Sequence, residues 1–550
     1  MTITSANAAN KDGKPAGLAH LLVFSLINFA LMNLFENRRV FWPALILIAA
    51  IPRILGAFFL PNTFGDAYVY IRDIGNLSTK IKTGTFALTD LYGFWLPLYQ
   101  LIAAVINVFV GNGFYAGKLI AALFGIGACL LVYALTLRLT EHKFAALLAF
   151  LLIALNPLHI LNSTSALTDV PHAFLVLASM YFVMKRSWTA AAVFAALAGF
   201  TRVESWMFLA LIPLIQFWKE RRISIPAILI LLIPPASWLY ISWKATGDWL
   251  ACFRARQQYH DWLLTQNPSL AHFSLSGVSK DVALFISGAD VAVLVSAFLA
   301  GWFILRKPLN PLQSKSTMMS ADSRTIDSVL PLLLVFFAFF ALLLIAYLTH
   351  QQPIIFPRYG LILFSLGIPI LAWTYLAVAR RRPEWSRRIL AAIIVVCALN
   401  WSAQFAGAVG ELNRYSAQRR VADYLRDNFD PKSNAKIFCE EDTVKVLSGI
   451  PEERYLSSAD APRSPDGFLR FLTDKHTEYL ILIEGERSTL FQLFPWAEYN
   501  ERIGDYESIM QAQSAFIRTD IHVYRRAQPL ANRGSVSAAV KQAQPFTLKA

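Results

Sequence analysis

The sequence predicts an all-α polytopic membrane protein of about eleven transmembrane helices, with a small mixed α/β domain at its C-terminal end. Three observations carry that expectation. Of 550 residues, 56% are hydrophobic and only 16% charged, too apolar for an ordinary soluble protein. Long uncharged runs recur along most of the chain, and the mean hydropathy is +0.46. Beyond about Ala408 the hydropathy drops, and short helix-like and strand-like patterns replace the runs.

Taken in order, residues 1–40 read as a cytoplasmic N-terminus. Met1 to Ala16 is polar, and no small-residue cleavage site follows it, so no removable signal peptide is expected. Residues 18–34 read as an interfacial helix, an extra span with an outside N-terminus being the alternative. Residues 41–410 hold the spans, near 41–60, 118–137, 144–161, 170–184, 188–200, 206–218, 223–243, 291–305, 329–348, 361–378 and 389–405. The shorter ones must borrow flanking residues to approach the roughly 20 that a bilayer needs.

Charge gives the sidedness. The formal net charge is +14, and the basic residues gather in clusters between apolar runs: Arg38-Arg39, Arg138 with Lys143, Lys185-Arg186, Lys219 with Arg221-Arg222, Arg306-Lys307, and Arg380 to Arg388. All share the cytoplasmic side provided that 95–110 is not a crossing. That run is short and carries Pro97, Tyr99 and Gln100, so it reads as a helix in the outer interface within a long outer first loop, 61–117. The basic excess is then a positive-inside pattern, not a nucleic-acid surface; the expected surroundings are a lipid bilayer.

Residues 411–527 read as an extracytoplasmic domain with helices at 417–429 and 466–474 and strands at 436–439, 478–483 and 521–524. Residues 528–550 are polar and small, with the composition of a disordered tail. The four cysteines, Cys129, Cys252, Cys397 and Cys439, have neither metal-ligand spacing nor the look of a disulfide framework.

The chemistry-bearing candidates fall on the outer side. Asp66 follows the first span directly, beside Gly65, and a helix continuing from Tyr68 would set Asp66, Tyr70, Asp73 and Leu77 on one face. An acid at a membrane edge is costly and commonly kept for function, though either residue could be an idle loop acid. Asp169 opens a span. It is a helix N-cap, a second site carboxylate, or a ligand for a divalent cation. Arg202 and Glu204 either pair with each other or snorkel to the interface, or Arg202 holds a phosphate. Arg358, with Tyr359 beside it, and Lys118 open spans from the same side, and a guanidinium fork suits phosphate oxygens. No histidine pairing, Walker loop, Rossmann glycine pattern or G-x-S-x-G elbow is present.

Several short motifs share this order and side: Gly65-Asp66-Ala67-Tyr68, Leu96-Pro97-Leu98-Tyr99, Ala166-Leu167-Thr168-Asp169-Val170-Pro171, Thr201-Arg202-Val203-Glu204 and Pro357-Arg358-Tyr359. Together they resemble the GT-C class of integral membrane glycosyltransferases, in the branch of the protein O-mannosyltransferases and the aminoarabinose transferase of lipid A. The resemblance implies a GT-C-like fold, a sugar donor linked to polyprenyl phosphate, and inverting transfer on the extracytoplasmic face with Asp66 as base. Many members carry Asp-Glu where this chain has Asp66-Ala67, so the duty of that second acid passes to Asp73 or Asp169 or is absent. Asp66 and Asp169 are thus the catalytic candidates, and Asp73, Lys118, Arg202, Glu204, Arg358 and Tyr359 the substrate-binding ones. A divalent cation, Mg2+ or Mn2+, is compatible with the acids but not specified by them.

The expected function is transfer of a sugar from a polyprenyl phosphate to a hydroxyl acceptor on a cell-envelope glycolipid, polysaccharide or protein, in a bacterial inner membrane. The rivals are a secondary transporter or lipid flippase, and a receptor or scaffold. A transporter would bury ionisable residues near the midplane and often shows inverted repeats. The mid-span segments here are almost charge-free and no repeat is evident.

Overall fold

The computed structural model describes residues 37–266, 272–305, 319–352, 354–456, 458–483, 488–498, 501–513 and 520–527. The expected interfacial helix at 18–34 and the tail at 528–550 lie outside them.

Helix α1, Arg38–Phe59, is opened by Asn37, whose side chain accepts from the Arg39 amide. After a five-residue link, Leu60 to Phe64, comes α2, Gly65–Thr83, which Gly84 ends in the left-handed conformation at φ 69°. The apolar run of the first loop forms α3, Leu98–Val110, of 13 residues. Helix α4, Gly113–Thr140, is a full span of 28 residues. The next span is broken: α5, Lys143–Ala154, and α6, Pro157–Ser163, meet at 61°. Pro157 causes the break, since it has no amide to donate to the preceding turn.

Then follow α7 (Asp169–Met184), α8 (Trp188–Gly199), α9 (Phe208–Glu220) and α10 (Ile225–Thr246). The loop after α10 contains α11, Ala251–Gln266. Helices α12 (Leu275–Ala289) and α13 (Val291–Leu305) form a second bent pair, at 82°. Helices α14 (Met319–Leu348), α15 (Leu361–Arg381) and α16 (Pro383–Asn413) complete the apolar part. Helix α4 lies at the centre, packed on α1, α3, α5, α7 and α15. One apolar core, from Phe41 to Cys397, draws on most of them, while α2 and α3 pack with Ile120, Ala166 and Leu167 in a second.

Among the described residues six helices are long and apolar enough to cross a membrane alone, or eight if each bent pair counts as one span. The eleven expected from hydropathy are therefore not reached by length and composition. The shortfall lies in α7, α8 and α9, of 16, 12 and 13 residues, each below the roughly 20 needed to span at helical rise.

Past α16, α17 (Ser416–Asn428) leads into a six-stranded sheet of order β2-β1-β3-β6-β5-β4. Its strands are β1 (Lys436–Cys439), β2 (Tyr455–Leu456), β3 (Thr477–Ile483), β4 (Arg502–Ile503), β5 (Tyr506–Gln513) and β6 (Asp520–Arg526). Strands β1, β2 and β3 are parallel; β3 with β6, β6 with β5 and β5 with β4 are antiparallel. Alternation divides the side chains between two cores. Ile437, Cys439, Tyr479 and Ile481 face α17 and α18 (Asp442–Ser448). Phe438, Leu480 and Leu482 face α19 (Pro465–Asp474) and α20 (Thr489–Leu493). The expected helices and three strands lie at these positions within a residue or two; β2, β4 and β5 were not foreseen.

Candidate functional site

The link between α1 and α2 does the positioning. Asn62 and Thr63 are fully buried: Asn62 Oδ1 accepts from the Ala166 amide at 2.9 Å, and Thr63 Oγ1 lies 3.1 Å from Ser165 Oγ. These bonds tie the start of the first loop to the turn before α7. Lys118 Nζ donates to the Leu60 carbonyl, which closes the C-terminal end of α1, and lies 4.8 Å from the Phe114 ring centre. It is held by these structural contacts, not by the acids of the site.

Asp66 stands in the first turn of α2, where the helix dipole favours a carboxylate. Its Oδ2 accepts from Arg358 Nη2 at 2.6 Å. The two partners differ sharply in exposure: the Asp66 side chain is 41% exposed and that of Arg358 only 8%. Arg358 lies on a 3₁₀ turn, Pro357–Gly360. Its guanidinium is lodged among the rings of Phe64, Phe356 and Tyr359, at 4.8, 5.4 and 5.5 Å. The arginine is fixed and the carboxylate is accessible.

Asp169, in the first turn of α7, is 8% exposed and accepts from Arg202 Nη1 at 2.9 Å. Arg202 Nη2 reaches Glu204 Oε1 at 3.1 Å. The expected Arg202–Glu204 pairing is present, but the same guanidinium also holds Asp169. Asp169 lies in the field of Arg358 as well. Asp66, Arg358, Asp169, Arg202 and Glu204 therefore form a row of alternating sign, three carboxylates against two guanidiniums. Burial opposes ionisation of Glu204, yet Arg202 beside it prevails and lowers its carboxyl to about 2. Tyr359 borders the row near Arg202, and its hydroxyl accepts from Gln352 Nε2 at 3.1 Å. Beneath it, His172 Nε2 and Ser205 Oγ are 2.7 Å apart.

Asp73 goes elsewhere. It pairs with Arg72 at 3.3 Å, and Arg72 in turn holds Asp442 of α18 at 2.9 Å. Burial raises the Asp73 carboxyl, opposed by Arg72. This trio joins α2 to the sheet region. Sequence reasoning missed Arg256 of α11: its Nε and Nη2 donate to the Phe94 carbonyl at 3.3 and 3.1 Å, within the field of Glu204. The signal available was a basic residue in the aromatic stretch 244–280. Among the described residues no three metal-ligating side chains converge.

Residues 99–214 match the sequence model of the dolichyl-phosphate-mannose-protein mannosyltransferases. That stretch contains Lys118, Asp169, Arg202 and Glu204; Asp66 and Arg358 flank it. No curated protein matches the chain in sequence. Among solved structures, the apo oligosaccharyltransferase of Archaeoglobus fulgidus is similar at 11% identity over 89% of this chain and 75% of its own, with a TM-score of 0.49. ArnT of Cupriavidus metallidurans is similar in the apo state (11% identity, 88% of this chain and 98% of its own, TM-score 0.44) and bound to undecaprenyl phosphate (12%, 88%, 98% and 0.42). With TM-scores below 0.5, these likenesses carry none of the weight. The family match, over residues 99–214 of the 550, makes that part of the chain similar to the dolichyl-phosphate-mannose-protein mannosyltransferases.

Proposed function

We propose that the protein is an inverting glycosyltransferase that moves a sugar from a polyprenyl-phosphate donor to a hydroxyl acceptor on the extracytoplasmic membrane face. The observation that carries this reading is the accessible Asp66 carboxylate gripped by the buried Arg358. Asp66 Oδ2 is taken by the arginine, which leaves Oδ1 for an incoming hydroxyl. As the acceptor oxygen bonds to the anomeric carbon, its proton passes to Asp66 and the bond from that carbon to the phosphate oxygen breaks. The departing polyprenyl phosphate gains negative charge, which Arg358 stabilises in a site screened by three rings. Asp169 and Glu204 hold Arg202 in place as the second cation. No nucleotide or proton gradient is required, because the donor is already activated.

The sidedness rests on the distribution of basic clusters, which supports eleven crossings, with α7, α8 and α9 as short spans. It sets residues 41–410 as the catalytic membrane part and 411–527 as an extracytoplasmic domain, in a bacterial inner membrane. The acceptor class is a cell-envelope glycolipid, polysaccharide or protein. The donor set does not suit a resident Mg2+ or Mn2+ ion, since each carboxylate of the row already faces a guanidinium. Transfer is expected to persist in EDTA; loss of activity restored by Mg2+ or Mn2+ would contradict that.

The test is transfer of labelled sugar from a polyprenyl phosphate in proteoliposomes, by wild type and by Asp66→Asn. Full activity in the variant would remove Asp66 from the base role. Movement of the lipid-linked sugar across the bilayer by wild type without transfer would make the protein a flippase instead.

A further inference from the structure

We propose that Asp290, clasped by Asn400, is a positioning residue that sets where Arg358 stands. Asp290 occupies the break between α12 and α13, and its side chain is fully buried. Its backbone has φ +68°, a conformation that residues with a Cβ rarely adopt and that persists only where the surroundings enforce it. The carboxylate is what enforces it. Oδ1 accepts from the Ala292 amide at 2.9 Å, capping α13, and Oδ2 accepts from Asn400 Nδ2 at 3.0 Å. Asn400 Nδ2 also donates to the Ser287 carbonyl at 3.2 Å, and Gln404 Nε2 donates to the same carbonyl at 2.6 Å. One face of α16 thus grips both arms of the 82° bend.

The bend carries the Arg358 turn on bare backbone. A Cβ added at Gly288 would lie 1.8 Å from the Pro357 carbonyl oxygen, and one added at Gly360 would lie 2.4 Å from the Ala289 nitrogen. No side chain cushions either contact, so a shift of the bend passes directly into Pro357–Gly360 and hence into the guanidinium. Among the described residues Asp290 has no cationic partner; the Val293 amide and the Cys397 thiol are its remaining polar neighbours. A buried carboxylate of this kind is expensive for a fold whose span cores are almost uncharged. Fixing the angle of the bend gives it a purpose, and through that angle it fixes the reach of Arg358 to Asp66.

The activity half of this inference rests on the proposed transferase reaction; the structural half does not. Asp290→Ala and Asn400→Ala are compared with wild type by hydrogen–deuterium exchange over residues 354–361 and by kcat and KM in the transfer assay. Expected are faster exchange in that turn with exchange in α2 unchanged, and kcat lower by roughly 10- to 100-fold with donor KM nearly constant, because a displacement of about an ångström acts on the transition state. In an Arg358→Lys background either substitution should add little further loss, since both act through one group. Unchanged exchange at the turn, or losses that multiply in the double variant, would overturn the proposal. If Asp290→Ala does not fold, Asn400→Ala decides alone, because it leaves the cap of α13 in place. If wild type transfers nothing, the transferase reading fails while the exchange measurement still judges the lock.

Discussion

Two buried arginines, Arg53 and Arg358, serve opposite ends. Arg53 lies fully buried in α1 and spends its guanidinium on the break between α5 and α6. Nη1 donates to the carbonyls of Ala49 and Ala154 at 2.9 and 3.0 Å, and Nη2 to that of Ile153 at 3.2 Å, with His159 Nδ1 at 2.8 Å. The carbonyls that a proline break leaves unpaired in an apolar setting are thereby satisfied. Arg358 reaches a carboxylate that is accessible at the surface. Both leave Nε without a partner, so a spare donor does not distinguish them. The distinction is whether the buried cation ends on backbone or on an accessible acid, and burial of charge alone does not mark a site.

The largest expected effect tests the acid. Asp66→Asn keeps the size and one acceptor but cannot take a proton, so kcat should fall about 10³-fold, with the melting temperature in detergent little changed. A comparable loss in melting temperature would turn Asp66 into a structural partner of Arg358 and erase the contrast with Arg53.

The arginines themselves should then separate by readout. Arg53→Met leaves the Ile153 and Ala154 carbonyls without donors, and should cost about 3 kcal/mol of stability while kcat per folded molecule changes little. Arg358→Lys keeps the charge but loses the fork, and should lower kcat by about 10²-fold with a small shift in melting. The same behaviour from both variants would show that the accessible carboxylate is not what separates them.

How much of this was legible depends on the reach of the interaction. Helices and strands set by local period were read within a few residues, as at Lys436–Cys439 and Pro465–Asp474. Asp66 and Arg358 were each singled out, but their meeting spans 292 positions and follows from no local rule. The tie of Asn62 and Thr63 to the turn before α7 was invisible for the same reason: two small polar residues beside Pro61 look like any loop. Strand β5, Tyr-Glu-Ser-Ile-Met-Gln-Ala-Gln, lacks the apolar alternation that marks a buried strand, because it packs few apolar side chains beside Ala512 and Tyr506. Asp290 was passed over because one acid between apolar helices has no pattern at all.

Arg202 stands between the two extremes, half-buried among acids, one of which, Glu204, is itself 30% exposed. Its coupling to Glu204 gives the smallest effect and the finest test. The Glu204 carboxyl is lowered from 4.5 to about 2, so the folded state holds its proton less tightly than the unfolded chain does. The stability that this supplies is therefore complete above about pH 4.5 and drains away as the pH falls toward 2. Glu204→Gln should lower stability by only about 1 kcal/mol at neutral pH, given solvent access to the pair. The stability curves of the two proteins should converge as the medium is acidified through that window. No limb of the wild-type rate profile between pH 5 and 8 should belong to Glu204, which is ionised throughout. A gap that stays constant down to pH 3 would mean that packing, not charge, couples Glu204 to Arg202. The alternating row would then end at Arg202, held by Asp169 alone.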